Sequence, residues 1–159
     1  MPEYPRPLVR PRRGINLIEL LGALALSGIL LAMGAPRLSS IRDKGAVRSA
    51  KQQLNSYLVA ARSAAMRSGV AASFHVTGDT IWVTSESTTG ASQSVAAPLV
   101  LSSASMPLTV TSPVTYVRFN SRGFATNLDG NKVFRVVRAG YSDSVCVSRL
   151  GNVSSLCGF

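Results

Sequence analysis

Three patterns of hydrophobic and polar positions follow one another along the chain. Residues 15–35 are almost continuously apolar, with Glu19 as the one ionisable side chain among 21. Residues 37–68 place apolar side chains every three or four positions, which predicts an amphipathic helix. From residue 70 onward the period changes to two, the spacing of half-buried strands. The chain is therefore predicted to form one long helix, about 15–68, followed only by strands.

The apolar segment has the length of a membrane span. At about 1.5 Å per residue, a helix of residues 15–35 would be about 31 Å long, which is enough to cross the hydrocarbon core of a bilayer. A carboxylate inside such a segment costs about 2.5–3.5 kcal/mol to insert, so we expect Glu19 to have a functional partner. The alternative is an ordinary signal anchor that tolerates an acid near one end. Pro36 predicts a kink where the segment ends, and Ser68-Gly69 predicts the helix stop.

The second half of the chain is predicted to form a series of short strands. Ala72–Val76 and Thr80–Thr84 alternate apolar and polar residues around a Gly78-Asp79 turn. Residues 85–97 are rich in Ser, Thr and Gly and predict a loop, and Leu128–Asn131 predicts a hairpin turn. Further strands are predicted at Leu99–Ser102, Leu108–Thr111, Thr115–Phe119, Val133–Arg138 and Ser144–Arg149. The expected fold class is α+β, with an antiparallel sheet packed on the outer half of the helix.

The sequence Gly14-Ile15-Asn16-Leu17-Ile18-Glu19 resembles the class III signal of type IV prepilins and type II secretion pseudopilins. The resemblance implies that a prepilin peptidase cleaves after Gly14 and methylates the new amino terminus at Ile15. Glu19 then occupies the fifth mature position, although Ile15 and Asn16 replace the usual Phe and Ser or Thr. Pro36 falls at mature position 22, where many pilins also have proline. The implied segments are a leader (1–14), a transmembrane and filament-core helix (15–36), an amphipathic helix half (37–68) and a β-rich head (69–159).

This resemblance implies assembly rather than catalysis. Cleavage would expose the ammonium group of Ile15, and Glu19 lies one helical turn away at the i, i+4 spacing. Within a subunit the two charges can compensate each other. Between staggered subunits Glu19 can meet the amino terminus of a neighbour, and an uncompensated charge in a low dielectric is costly. The implied partners are other pilins or pseudopilins in a filament, the prepilin peptidase and the inner membrane.

The charge is unevenly distributed. The net charge is +10, and the first 14 residues hold four arginines and Glu3. By the positive-inside rule, Arg10, Arg12 and Arg13 place the amino terminus in the cytoplasm, so the head is expected in the periplasm. The leader lacks the apolar core of a secretory signal peptide. Residues 37–67 carry seven basic groups against Asp43 alone. Such a cluster is either a solvated face or a surface for anionic lipid or nucleic acid.

The carboxy-terminal half resembles the GspH/FimT branch of pseudopilins and minor pilins. Residues 117–123 match an aromatic-x-x-x-Gly stretch of that branch. FimT-like proteins carry an arginine-bearing tail motif linked to DNA binding, but Asn152 and Ser154 stand where its basic residues would be. The resemblance implies a minor structural subunit of a type II secretion pseudopilus or type IV pilus. The alternative is a DNA-binding minor pilin of a DNA-uptake pilus, using a basic patch of Lys132, Arg135, Arg138 and Arg149.

The two cysteines are expected to pair if the head is exported. If Gly151-Asn152 is a two-residue hairpin turn, Leu150 faces Val153 and Cys146 falls directly opposite Cys157. Opposed Cα atoms lie about 4.5–5.5 Å apart, within the range of a disulfide. The alternative is two free thiols packed as small hydrophobic groups.

The sequence indicates no enzyme, metal site or cofactor. The single histidine, His75, lies in mid-strand without an acid or nucleophile motif beside it, and we interpret it as structural. One histidine and two cysteines show no metal-ligand spacing. Trp82 is predicted to pack between sheet and helix rather than to act as a stacking platform.

Overall fold

The long helix begins after the polar residue Asn16 and ends before Gly69. The computed structural model describes residues 16–87, 90–102, 107–155 and 157, without the side chains of 33–37. Helix α1 covers Leu17–Ser68. The Asn16 carbonyl accepts hydrogen bonds from the N–H groups of Glu19 (3.0 Å) and Leu20 (3.2 Å) in the first turn. At the other end Gly69 has a φ of +70° and donates to Ala65 at 3.1 Å, as a glycine after a helix commonly does.

The chain divides into two compact units, Met1–Ser39 and Ser40–Phe159. In the first unit, the helical backbone continues through position 36, but the side chain of Pro36 lies outside the described residues, so its kink stays a prediction. Gly14 and Ile15 also lie outside them. Within the described residues, which omit the side chains of 33–37, no helix is long and apolar enough to cross a membrane. The second unit contains the rest of α1 and all the strands.

Two antiparallel sheets of four strands each build the second unit. The strands are β1 Ala72–Thr77, β2 Thr80–Glu86, β3 Ser92–Val100, β4 Thr109–Thr111, β5 Tyr116–Phe119, β6 Lys132–Arg138, β7 Tyr141–Val147 and β8 Val153–Ser154. The first sheet has the order β3-β2-β1-β5 and the second β4-β6-β7-β8. The predicted α+β class is confirmed, with two sheets where one was expected.

One hydrophobic core joins the helix to both sheets. Phe74 of β1 meets Phe134 of β6 edge to face, with ring centroids 5.8 Å apart, so the sheets contact each other through their largest side chains. The helix contributes a stripe of mostly small residues, which lets the sheets approach it closely. Its buried members are Val47, Ala50, Leu54, Leu58, Ala61, Ala64 and Ala65.

The apolar stripe of the helix becomes buried later than its period predicts. Leu38 and Ile41 belong to the predicted stripe, yet 51% and 64% of their surfaces are exposed. Periodicity identifies the apolar face of a helix but does not say where a partner covers it.

Two of the predicted loops are wrong. Residues 92–97 of the predicted 85–97 loop belong to β3, which lies at the edge of its sheet and is exposed on both faces, so no apolar alternation marks it. The predicted hairpin turn at 128–131 instead connects β5 to β6, which belong to different sheets. The true hairpin partner of β6 is β7, and residues 139 and 140 connect them.

The carboxy-terminal strand pairs in a register other than the one predicted. Val147 lies opposite Val153, and Cys146 opposite Ser154 rather than Cys157. Five residues, 148–152, therefore connect the two strands, and within them the N–H of Ser148 bonds to the carbonyl of Asn152 at 3.0 Å. The disulfide between Cys146 and Cys157 is nevertheless present, with Cα atoms 5.6 Å apart. Cys157 therefore reaches Cys146 from beyond the end of β8.

Candidate functional site

The first described part of α1 presents apolar side chains on all sides. The side chains from Leu17 to Ala32 are all exposed, and the larger ones expose between 53% and 75% of their surfaces. These are Leu17, Ile18, Leu20, Leu21, Leu24, Leu26, Ile29, Leu30 and Leu31. A helix that is apolar all round requires lipid or other helices around it, because water alone would leave a large apolar patch uncovered.

Glu19 lies in the first turn of this helix. A carboxylate there interacts favourably with the positive end of the helix dipole and with unpaired N–H groups of the first turn. The other hydrophilic side chain of the segment, Ser27, donates to the carbonyl of Ala23 at 2.7 Å and is thereby satisfied within the helix. Glu19 thus remains the one charged group available to an outside partner in the described part of this segment.

Two of the four residues predicted for a DNA-binding patch are engaged within the head. Lys132 forms an ion pair with Asp129, which lowers the pKa of that exposed carboxyl through a hydrogen bond and the lysine charge. Arg138 reaches the helix, where its Nε lies 2.6 Å from Asp43, and donates from Nη1 to the carbonyl of Pro107 at 3.2 Å.

The other two residues of that patch are exposed. Arg135 is exposed on β6 between the buried Phe134 and Val136, so it lies on the opposite face from Lys132 and Arg138. Arg149 is exposed in the loop after β7, and its charge helps to lower the pKa of Asp129, the partner of Lys132. Because Arg135 lies on the other face of β6, the four residues do not form one continuous surface.

A different basic cluster forms on the helix, within the stretch of basic residues for which the sequence predicts either a solvated face or a surface for anionic lipid or nucleic acid. Lys44, Arg48 and Lys51 follow one another at helical spacing beside Tyr141 and Asp143 of β7, and a groove of about 560 Å³ lies between them. Only the tertiary structure brings these helix residues beside Tyr141 and Asp143, because the two groups lie nearly 100 positions apart in the sequence.

Asp143 is held ionised in this groove. Burial opposes ionisation, but the Lys51 ammonium donates to its Oδ1 at 2.7 Å and the N–H of Ser144 donates at 2.9 Å. These contacts, together with the charges of Lys51 and Arg48, leave the pKa of Asp143 below its ordinary value.

An aromatic row crosses the outer face of the first sheet. The ring of His75 stacks on Trp82 with centroids 5.1 Å apart and lies 6.1 Å from the ring of Tyr116. His75 Nε2 also lies 3.0 Å from the Thr84 hydroxyl. The prediction that Trp82 packs between sheet and helix is wrong, because its neighbours Ile81 and Val83 take the core face. Alternation within β2 could have revealed this.

Three comparisons with known proteins bear on the chain. The family model described as type II transport protein GspH matches residues 50–151. The fold is similar to two crystal structures of the type IV minor pilin FimU from Pseudomonas aeruginosa, each with a TM-score of 0.53. The sequences are 22% and 19% identical, over 68% and 67% of this chain and 86% and 90% of the FimU chains. No curated protein sequence matches the chain.

Proposed function

The chain belongs to the family of the type II transport protein GspH, and from that premise we propose that it is a minor structural subunit of a pilin-type filament. The filament is a type II secretion pseudopilus or a type IV pilus, which the subunit enters through its N-terminal helix after cleavage by a prepilin peptidase. The proposal is carried by one observation: the described apolar half of α1 is exposed all round and holds the single carboxylate of Glu19.

Assembly covers this apolar surface. In a filament core these apolar side chains leave lipid and pack against neighbouring helices, so the gain comes from van der Waals packing rather than from removal of apolar area from water. The same burial would leave the Glu19 carboxylate without a counter-charge unless a cation lies beside it. The ammonium group of a processed Ile15 supplies that cation, from the same subunit or from a neighbour.

The charge pair makes assembly selective. Removing one partner of a buried ion pair costs about 3–5 kcal/mol, because the remaining charge is left uncompensated. An unprocessed subunit has no ammonium group at Ile15, so Glu19 would enter the core alone. Processing and assembly are thereby coupled.

Before assembly, the subunit is proposed to rest in the inner membrane as a single-pass protein. Its amino terminus is cytoplasmic and its head periplasmic, in line with the arginines of the leader. The proposed span of 15–36 includes residues whose side chains lie outside the described part of the chain. The disulfide between Cys146 and Cys157 agrees with an oxidising compartment.

Mass spectrometry of the mature amino terminus tests processing. With the prepilin peptidase present, we expect a chain that begins with an N-methylated Ile15. The Gly14→Leu variant should remain in the membrane at precursor length, since the peptidase site requires a small residue. A mature chain that begins at another residue would refute the class III assignment.

Replacing Glu19 tests the assembly mechanism. Glu19→Val should insert into the membrane at least as well as the wild type, because it removes a charge, but should enter sheared filaments poorly. Leu20→Val, an apolar change at the next position, is the matched control and should assemble normally. If Glu19→Val supports secretion or piliation like the wild type, the charge-pairing mechanism is wrong.

A DNA-uptake pilin has less support from the head. Lys132 and Arg138 are in ion pairs, and Arg135 points away from them. DNA affinity that depends on phosphate contacts falls steeply with salt. Duplex binding by the full chain at two salt concentrations therefore measures this alternative, and tight, salt-sensitive binding lost in Arg135→Gln would favour it.

A further inference from the structure

The groove between α1 and β7 is lined by three cations of the helix, Lys44, Arg48 and Lys51. The Lys44 ammonium lies 5.0 Å from the centre of the Tyr141 ring, and Lys51 pairs with Asp143 at 2.7 Å. Arg48 lies between them on the helix and is exposed. Among the described residues no carboxylate forms an ion pair with Arg48, so its guanidinium is available to a ligand.

The described carboxylates of the second unit, Ser40–Phe159, are already engaged. Four of them pair with cations of the same chain, in the pairs Asp43–Arg138, Glu86–Arg118, Asp129–Lys132 and Asp143–Lys51. The fifth, Asp79, accepts hydrogen bonds from Ser102 and Thr80. A second copy would therefore have to share with Arg48 a carboxylate that already has a partner within its own chain, whereas a different subunit can offer an unpaired one. The groove therefore favours a different molecule.

We propose that the groove binds a carboxylate-bearing loop of a different pilin-type subunit in the filament, an inference that rests on the function proposed above. Arg48 is the anchor, because its planar guanidinium can hold a carboxylate through two parallel hydrogen bonds. Lys44 supplies a second cation, and Tyr141 gives the apolar contact area that interfaces favour. A volume of about 560 Å³ accommodates a few side chains of such a loop.

Two features favour an acidic loop over nucleic acid. The groove keeps the ionised carboxylate of Asp143 beside Arg48, and this resident charge repels a phosphate chain more than it repels one side chain. The groove is also a single concavity, whereas phosphate contacts along DNA require cations spread over a surface. Arg48 therefore recognises a local anion.

Carbodiimide coupling of intact filaments tests this contact. The reagent joins an amine to a carboxylate that touches it, so Lys44 should couple to an Asp or Glu of a companion subunit, and mass spectrometry identifies the linked peptides. The intrachain product of Lys51 and Asp143 is an internal control for the reaction. Lys44→Arg keeps the charge but has no amine to couple, so the intersubunit product should disappear.

Charge reversal gives the second readout. Lys44→Glu combined with Arg48→Glu should lower the amount of chain in sheared filaments about tenfold, as expected for two repelling pairs at a partly exposed interface. Arg48→Gln should show a smaller loss, about threefold. Arg122→Glu, a single charge reversal on an exposed loop outside the groove, should assemble normally. Unchanged urea midpoints for the groove variants show that they are folded.

Several results would overturn the proposal. One is coupling of Lys44 only within its own chain or to a second copy while the Lys51–Asp143 product forms. Another is a double variant that assembles like the wild type. Loss of duplex DNA binding by a double variant that still assembles would point to nucleic acid instead. If the wild-type chain is absent from filaments altogether, the proposed function itself fails, which is a distinct outcome.

Discussion

Replacing Gly151 with alanine should destabilise the head strongly, because two loops cross at this residue without room for a side chain. Gly151 has a φ of +74°, and a Cβ built there would lie 1.8 Å from the carbonyl oxygen of Gly123 and 3.3 Å from Nε of Arg62. Contacts below 3.0 Å essentially do not occur for real Cβ atoms, so the two loops would have to separate by more than an ångström.

The cost can be worked out in three parts. The positive φ costs an L-residue about 1–2 kcal/mol. Forcing a methyl group into a packed contact costs about 1–3 kcal/mol. Separating the loops also strains the hydrogen bond from Ala125 to Arg149, which is worth about 1 kcal/mol. The sum is about 4 kcal/mol, a large part of the 5–15 kcal/mol that typically stabilises a domain.

Urea unfolding in detergent, followed by the fluorescence of Trp82, measures this free energy, since Trp82 is the one tryptophan of the chain. Gly69→Ala is the matched control. Gly69 has a nearly equal φ of +70° but nothing within 4 Å of its Cβ position, so it should lose only about 1–2 kcal/mol. Equal losses for the two variants would show that the loop crossing is not as tight as the structure indicates.

Three further predictions concern the stability of the head. Removing the disulfide through Cys146→Ser and Cys157→Ser should cost about 3 kcal/mol, given a sequence separation of 11; two reactive thiols in the unreduced wild type would contradict the bond. Ala139→Asn should raise the unfolding free energy by about 1 kcal/mol. Ala139 and Gly140 both have positive φ (47° and 82°) in a two-residue hairpin loop, where the pair Asn-Gly is favoured. An unchanged thermal midpoint would argue against backbone strain at Ala139. Burial lowers the pKa of His75 below its ordinary value of 6.5, so the unfolded chain binds the proton more readily and stability should fall as the pH drops below about 6.5. His75→Gln should lose that part of the pH dependence between pH 5 and 7, and a profile identical to the wild type would refute the burial argument.

The N-terminal half shows how much local sequence can decide. A nearly continuous apolar run and the three-to-four-residue period specify a helix without reference to any partner, because helix hydrogen bonds form between residues close in the chain. The stop at Ser68 follows from the glycine after it. The class III motif likewise stands in consecutive residues, so the family resemblance was readable before any fold was known. The pairing of Cys146 with Cys157 required only that two cysteines share an oxidising compartment.

The features that join distant segments of the chain could be seen only in the tertiary structure. The five-residue loop before β8 contacts a distant segment, because the Ala125 N–H bonds to the Arg149 carbonyl and Gly151 packs against Gly123. Counting along a hairpin cannot include such contacts. β3 carries no alternating pattern because, as an edge strand, it buries neither face consistently. The groove around Arg48 has the same origin, since one wall is helix and the other a strand nearly 100 residues later. Neighbouring residues determine the local hydrogen bonding and the period of apolar positions. Strand order, strand register and surface grooves depend instead on which distant side chains pack in the same core.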